Sequence, residues 1–96
     1  MDIKFKKDVD TSLARIKNHI RRTPVQFSHY LSNSTGSDVY LKLENYQITG
    51  SFKPRGALNK MTLLLKQKPE KIITASSGNH GSAVAYASSV LAMKTL

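Results

Sequence analysis

The spacing of apolar residues in the first quarter of the chain predicts a helix. Leu13, Ile16 and Ile20 recur at helical spacing, and Asp10 or Thr11 is the expected N-cap. Arg21 and Arg22 suit the C-terminal end of this helix. Because a residue that precedes proline avoids the α region, the helix is expected to end at Thr23, before Pro24. The polar stretch 25–38, which contains Ser-Asn-Ser-Thr-Gly-Ser, is then expected to be a loop.

The rest of the chain alternates between strand and helix patterns. Apolar residues alternate with polar ones over 39–43, which predicts a half-buried strand, and a helix is predicted from about Pro54 to Lys66. The apolar run 72–75 is typical of a strand buried on both faces of a parallel sheet. A helix is predicted from Ser82 to Ala92, and residues 93–96 suggest the start of another strand. This order predicts an α/β fold of βαβ units with a parallel sheet.

Composition narrows the class of protein. The 96 residues are enough for one small domain, and 40% of them are hydrophobic. The absence of cysteine excludes a disulfide framework and a thiolate metal site. The N-terminal residues lack the apolar segment of a signal peptide, and no apolar run has the length of a membrane span. We therefore expect a cytoplasmic chain without a membrane partner.

The charge is strongly positive, with 15 Lys and Arg against 6 Asp and Glu. A nucleic-acid-binding protein is one interpretation of this excess. The basic residues are dispersed, however, and form no arginine-rich run, zinc-finger spacing or aromatic-basic motif. The pattern favours attraction to anionic small molecules, with nucleic-acid binding that is weak, non-specific and dependent on salt.

The turn "TGSFKPRGA", residues 49–57, contains the first candidate for chemistry. Pro54 suits the first position of a helix, so the Lys53 amine would lie near the positive end of the helix dipole. That location favours the neutral amine, which attacks carbonyl groups to form Schiff bases. On spacing alone, however, a solvent-facing lysine behind a Ser51 cap is the better interpretation.

The second candidate is "SSGNHG", residues 76–81, between a predicted strand and a predicted helix. Its hydroxyls, glycines and helix-terminal amides are typical of an anion site at the carboxyl edge of a parallel sheet. The sequence matches neither a phosphate-binding P-loop nor the Gly-x-Ser-x-Gly motif of hydrolases. His80 alone suggests a hydrogen-bonded structural residue, and His19 and His29 show no spacing that would make a metal site.

The turns at 49–57 and 76–81 are expected to form one site together. Each is predicted to follow a strand and open a helix, so both would lie at the same edge of one sheet. A lysine suited to imine chemistry would then face an anion-binding loop across a cleft. This arrangement fits an aldehyde cofactor on Lys53 and the carboxylate of an amino acid on the loop.

Two longer segments, "LKLENYQITGSFKPRGALNK" and "ITASSGNHGSAVAYAS", resemble the fold-type II pyridoxal-phosphate (PLP) enzymes, specifically the serine/threonine dehydratases and serine racemase. The resemblance extends from about Ile16 to the last residue. It implies PLP as cofactor, an amino acid as substrate and the tryptophan-synthase-β-like PLP fold. The implied reaction is β-elimination from L-serine or L-threonine to ammonia and a 2-oxo acid.

The same resemblance implies roles for individual residues. Lys53 would bind PLP covalently, Phe52 would pack against the pyridine ring, and Asn79 would bond the 3′-oxygen of the cofactor. Ser77 matches the serine that acts as a base on the opposite face in the racemase. The implied binding site for the substrate carboxylate consists of Ser76, Ser77, Gly78, Asn79 and His80.

The sequence lacks several elements of the cofactor site that the family carries. Family members are longer and carry a glycine-rich loop for the cofactor phosphate, whereas the five glycines here form no such cluster. A partner for the pyridine nitrogen and an acidic divalent-metal site are also missing. Residues 1–96 are therefore expected to be the N-terminal portion of a dehydratase domain, incapable of catalysis alone and associating as a homo-oligomer through its apolar edge. Racemisation and a non-catalytic interaction module remain as alternatives, and a nucleic-acid binder ranks last.

Overall fold

The computed structural model describes residues 2–96, in which helices predominate. In chain order the α-helices and paired strands are α1 Ile3–Ile16, β1 Val25–Phe27, α2 His29–Thr35, β2 Tyr40–Lys42, α3 Lys53–Leu64 and α4 Asn79–Leu91. Short 3-10 helices lie at Lys17–His19, Glu44–Tyr46, Ile48–Gly50 and Leu65–Gln67. Within residues 2–96, every helix is too short or too polar to cross a bilayer.

The core lies where α3 packs against α4 and the end of α1. Its buried side chains are Ile16, Leu58, Met61, Val84 and Ala87. Leu58 is completely buried, and small residues on α4 such as Ala83 and Ala87 are completely buried as well. Small residues of this kind suit a helix that packs on a sheet, whereas in the structure they face α3. The predicted α3 is confirmed, although the helix begins at Lys53 and ends at Leu64 before the final 3-10 turn.

The first helix begins much earlier than the sequence pattern suggests. Asp2 is the N-cap, and its carboxylate accepts a hydrogen bond of 3.0 Å from the Lys4 amide. The prediction of Asp10 or Thr11 as the cap is wrong, since Asp10 lies inside the helix and pairs with Lys6 at 2.7 Å. Phe5 and Val9 continue the spacing of Leu13 and Ile16 toward the N-terminus, so the apolar stripe extends through the first turns and a start near Asp10 is too late.

The segment 25–38 is ordered, and its prediction as a loop is wrong. It forms β1 and α2, and the Ser28 hydroxyl caps α2 by accepting from the Leu31 amide at 3.2 Å. Gly36 ends that helix in the left-handed conformation, with φ of 69°. β1 pairs antiparallel with β2, with Val25 opposite Lys42. The predicted strand at 39–43 therefore exists as β2, but its three residues are exposed where a half-buried strand was predicted, and its pairing is not the predicted parallel one.

Parallel pairing occurs further along the chain, around α4. The Ile72 amide donates to the Lys94 carbonyl at 2.8 Å, and the Leu96 amide donates to the Ile72 carbonyl at 2.8 Å. These contacts join the segment before α4 to the segment after it, which confirms a βαβ unit. Ile73 is 70% exposed, however, so this strand is not buried on both faces as predicted.

Candidate functional site

Lys53 is the first residue of α3, which begins one residue before the predicted start at Pro54. Pro54 follows it and is fully buried, which fixes the backbone at the start of the helix. The Lys53 amide donates to the Ser51 hydroxyl at 3.3 Å. The Lys53 Nζ lies 5.1 Å from the centre of the Phe52 ring, within cation–π range. Both side chains are exposed, so the amine and the ring face are accessible to a ligand.

We call residues 47–55 the lysine turn. Two consecutive residues in it have left-handed backbone conformations, Thr49 with φ of 68° and Gly50 with φ of 77°. Glycine adopts this conformation readily, whereas a β-branched threonine is strained there by about 1–3 kcal/mol. Such strain persists only where the surrounding contacts hold the chain on both sides.

An ion pair holds the C-terminal end of the lysine turn. The Glu44 carboxylate accepts two hydrogen bonds from Arg55, from Nε and Nη2, each of 2.8 Å. It also accepts from the Thr23 hydroxyl at 2.5 Å. The Arg55 hydrogen bonds, and after them the Thr23 hydroxyl and the charge of Lys42, lower the pKa of Glu44 from 4.5 to about 2, although burial acts in the opposite direction. The same hydrogen bonds raise the pKa of Arg55.

A buried amide side chain holds the N-terminal end of the lysine turn. Gln47 is almost completely buried, and its Oε1 accepts from the amides of Arg21 at 2.8 Å and Ile48 at 3.0 Å. Its Nε2 donates to the Arg21 carbonyl at 2.8 Å. Neither Glu44 nor Gln47 has a role that the sequence pattern predicts. Both precede the lysine motif by a few residues, but their partners Thr23 and Arg21 lie more than twenty positions away and leave no local signal.

We call residues 76–81 the serine loop. The Ser76 hydroxyl oxygen accepts from the amides of Gly78 at 3.3 Å and Gly81 at 3.0 Å. A Cβ at position 81 would lie 2.9 Å from the Ser76 carbonyl oxygen, so the close return of the chain requires glycine there. Because of this hydroxyl, the loop turns directly into α4, which begins at Asn79 instead of at the predicted Ser82.

The functional candidates of the serine loop lie at the start of α4. Asn79 and His80 are the first two helical residues, and Gly78 is the N-cap. The first amides of a helix have no acceptor within the helix, and together with the helix dipole they favour an anion. Ser76 to His80 are all exposed. In the described residues 2–96, no group of three or more histidine, aspartate or glutamate side chains is arranged to hold a metal ion.

A groove of about 440 Å³ brings the two motifs together. Phe52, Lys53 and His80 line it, and Met61 and Val84 contribute apolar surface. The remaining candidates, Ser76, Ser77, Gly78 and Asn79, are outside its lining and directly precede His80 along the chain. The groove has the dimensions of a small-molecule site, with an apolar wall and few polar groups.

Lys53 and His80 line the same groove for a different structural reason than the sequence predicts. The lysine turn does not follow a strand of the same sheet as the serine loop, because β2 pairs with β1 and the 3-10 helix Glu44–Tyr46 intervenes. Instead, α3 and the 3-10 helix Ile48–Gly50 both pack against α4. Helix packing therefore places Lys53 near His80, and the expectation of a shared sheet edge is wrong.

Comparisons with known proteins agree with this geometry. The catabolic L-threonine dehydratase of Staphylococcus aureus is 52% identical over 86 residues, which are 88% of this chain and 25% of that protein. The solved structure of a threonine deaminase from T.th. has a TM-score of 0.80 and 42% identity, over 94% of this chain and 32% of that one. The serine racemase of Dictyostelium discoideum has a TM-score of 0.84 and 41% identity, over 93% and 30%.

The matches cover most of this chain but only a part of each relative. The chain spans about a quarter of the length of the curated relatives it matches. The family model described as pyridoxal-phosphate dependent enzyme matches residues 16–96, which include β1, β2, α3, α4 and both motifs. With the motif lysine at the start of α3 and the serine loop at the start of α4, this chain belongs to the family of pyridoxal-phosphate dependent enzymes.

Proposed function

We propose that this chain supplies the lysine-bearing, N-terminal part of an enzyme that converts L-serine or L-threonine to ammonia and a 2-oxo acid. The observation that supports this most directly is the groove lined by Phe52, Lys53 and His80. It places an accessible amine, a ring face and the positive end of α4 around one space of small-molecule size. The names of the relatives, threonine dehydratase and threonine deaminase, support the same reaction class.

The residues of the groove fit the cofactor of the family. Lys53 offers an exposed amine for covalent attachment, and Phe52 offers a ring face 5.1 Å from that amine. Asn79, at the start of α4, would hydrogen-bond the 3′-oxygen. When bound, PLP withdraws electrons from Cα of an attached amino acid and makes its proton acidic.

The serine loop would hold the substrate by its carboxylate. The amides of Asn79 and His80 belong to the N-terminus of α4, and the hydroxyls of Ser76 and Ser77 add polar groups before them in the loop. The Ser76 oxygen already accepts from Gly78 and Gly81, so its hydrogen is the atom free to donate. In the proposed reaction the Cα proton and the β-hydroxyl are lost together as water, and a second water hydrolyses the resulting enamine to the 2-oxo acid and ammonia.

Racemisation is the second candidate, favoured by the likeness to the serine racemase structure. In that reaction Ser77 would exchange a proton with Cα on the face opposite Lys53. Ser77 is exposed and precedes the N-cap of α4, a position from which its hydroxyl is open to a ligand. Measuring D-serine and 2-oxo acid from the same incubation distinguishes the two reactions.

The proposal is tested on this sequence extended to the full length of its relatives, since the 96 residues carry no glycine-rich loop for the cofactor phosphate. PLP is trapped with borohydride, and the modified lysine is located by peptide mass spectrometry. We expect modification at Lys53, lost in Lys53→Ala. Lys60 is the matched control, since it lies on α3 and lines the same groove, and Lys60→Ala should leave the adduct in place. Modification spread evenly over the lysines would refute the proposal. Turnover by the 96 residues alone is not expected to exceed that of PLP with free lysine.

A further inference from the structure

The Glu44 carboxylate connects three separate parts of the chain. It follows β2, it accepts from Arg55 in the first turn of α3, and it accepts from Thr23 just before β1. Its side chain is only 16% exposed, and that of Arg55 is 30% exposed. The bidentate geometry fixes the direction of the guanidinium as well as its distance. One carboxylate therefore fixes the start of α3 relative to the paired strands.

The chain between Glu44 and Arg55 contains two left-handed residues, the strained Thr49 and the unstrained Gly50. Gln47 fixes the backbone before them through its bonds to Arg21, and the Glu44–Arg55 ion pair fixes the backbone after them. Left-handed threonine persists where contacts on both sides determine the conformation. Lys53 lies between these two residues and Arg55, so its position depends on both sets of contacts.

We infer that Glu44 is a positioning residue for Lys53. It acts through Arg55 and is absent from the residues that line the groove. With the carboxylate in place, the first turn of α3 is held and the Lys53 amine is directed beside Phe52. Without it, the Arg55 guanidinium loses a partly buried partner, and the first turn of α3 opens together with the strained turn. The functional importance of Lys53 rests on the proposed function, whereas the role of Glu44 in holding the first turn of α3 rests on geometry.

A second ion pair in the molecule shows what an ordinary surface pair looks like. Lys6 and Asp10 lie on α1 with side chains 68% and 61% exposed and a single contact of 2.7 Å. Exposed pairs of this kind contribute little, because water and salt screen them. Asp10→Asn therefore removes the same charge as Glu44→Gln without touching a buried network, which makes it the matched control.

Limited trypsin digestion tests the inference without any cofactor. The bonds compared are Arg55–Gly56, in the first turn of α3, and Lys60–Met61, in the middle of the same helix. In Glu44→Gln we expect cleavage at Arg55–Gly56 to rise about tenfold relative to Lys60–Met61, the factor expected for loss of a charge-assisted hydrogen-bonded pair. Asp10→Asn should leave the ratio unchanged. An unchanged ratio in Glu44→Gln would overturn the inference.

A second measurement reports on Lys53 itself. In the chain extended to the length of its relatives, the ratio of borohydride-trapped PLP at Lys53 to that at Lys60 should fall in Glu44→Gln by a similar factor. A preference for Lys53 that survives in Glu44→Gln would overturn the inference while leaving the proposed function intact. If the unmodified chain shows no preference for Lys53, the proposed function fails, and the trypsin ratio still decides the role of Glu44.

If Glu44→Gln does not fold, the inference is tested with a variant that disturbs the ion pair less. Arg55→Lys keeps the positive charge and the trypsin site but loses the two-pronged contact with the carboxylate. We expect the bond after position 55 to be cleaved faster relative to Lys60–Met61, by less than in Glu44→Gln. If both variants raise cleavage equally at the two bonds, the ion pair has only a global effect on stability, and the positioning role is wrong.

Discussion

The lysine turn and the serine loop hold their candidate groups by different physical means. The lysine turn is strained at Thr49 and is held by long-range contacts, from Gln47 to Arg21 and from Glu44 to Arg55. Among residues 2–96, the side-chain hydrogen bonds of the serine loop are local, since the Ser76 hydroxyl accepts from two amides of its own turn. A side chain that must keep one orientation needs contacts on several sides. A loop that presents backbone amides needs only the start of a helix.

The lysine turn and the serine loop share one core, but the lysine turn has further contacts outside it. α3 and α4 pack on one another around Leu58, so both motifs rest on the same buried side chains. The long-range contacts of the lysine turn are additional to this support. Variants in the core should therefore affect both motifs, whereas variants in one turn should affect that turn alone.

The largest effect is expected for Leu58→Ala. Leu58 is completely buried between α3 and α4, and removing it leaves a cavity that lowers the free energy of unfolding by about 2–5 kcal/mol. Urea denaturation followed by circular dichroism measures this change. Leu63→Ala, at a residue of the same helix that is 39% exposed, is the control and should change the free energy far less. If either the lysine turn or the serine loop stayed as resistant to proteolysis in Leu58→Ala as in the unmodified chain, the two regions would not depend on the same core.

An intermediate effect is expected for Gly81→Ala in the serine loop. The new Cβ would lie 2.9 Å from the Ser76 carbonyl oxygen, so the loop must shift, at a cost of about 1–3 kcal/mol. Gly56→Ala, in the first turns of α3, is the matched control. A Cβ at Gly56 meets no atom within 4 Å, and alanine is the better helix former, so this variant should be neutral or stabilising.

Thermal denaturation of these two glycine variants compares the regions directly. Amide hydrogen exchange then locates the change, which in Gly81→Ala should be confined to the serine loop and the first turn of α4. Equal stability of the two variants would show that the serine loop is loose enough to accept a side chain.

The effect of pH, through Glu44, is absent near neutral pH and appears only in acid. Its pKa is lowered to about 2 from 4.5, so the ion pair stabilises the folded chain above pH 4.5 and loses this contribution as the pH falls toward 2. By linkage, a shift of this size corresponds to a loss on the order of 3 kcal/mol once the carboxyl is protonated in the folded chain.

Melting temperatures of the unmodified chain and Glu44→Gln, measured from above the ordinary pKa of Glu44 down to its lowered value of about 2, report this effect. Their difference should shrink as the pH falls across this range. The corresponding difference for Asp10→Asn should stay small throughout, since that pair is exposed. A difference between the unmodified chain and Glu44→Gln that does not depend on pH would mean that charge is unimportant in the pair.

The amino-acid sequence determined much of this protein through local patterns. The apolar periodicity of α3, the small residues of α4 and the turn residues of the serine loop predicted those elements within a few positions. The two motifs also determined the family, because they combine specific residues at a specific separation. Two predictions failed, the start of α1 and the loop at 25–38. The first overlooked Phe5 and Val9, which continue the helical spacing, whereas β1 and α2 are short elements with weak local signals.

Only the tertiary structure decided which distant residues meet. It paired β2 with β1, joined Glu44 to Thr23 and Arg55, and placed Lys53 in the groove with His80 through the packing of α3 on α4. Local patterns report the preferences of neighbouring residues, whereas these contacts join segments far apart in the chain, such as those of Lys53 and His80. Their formation depends on how all the elements share one core, and this is the physical reason that the pattern of any single segment did not predict them.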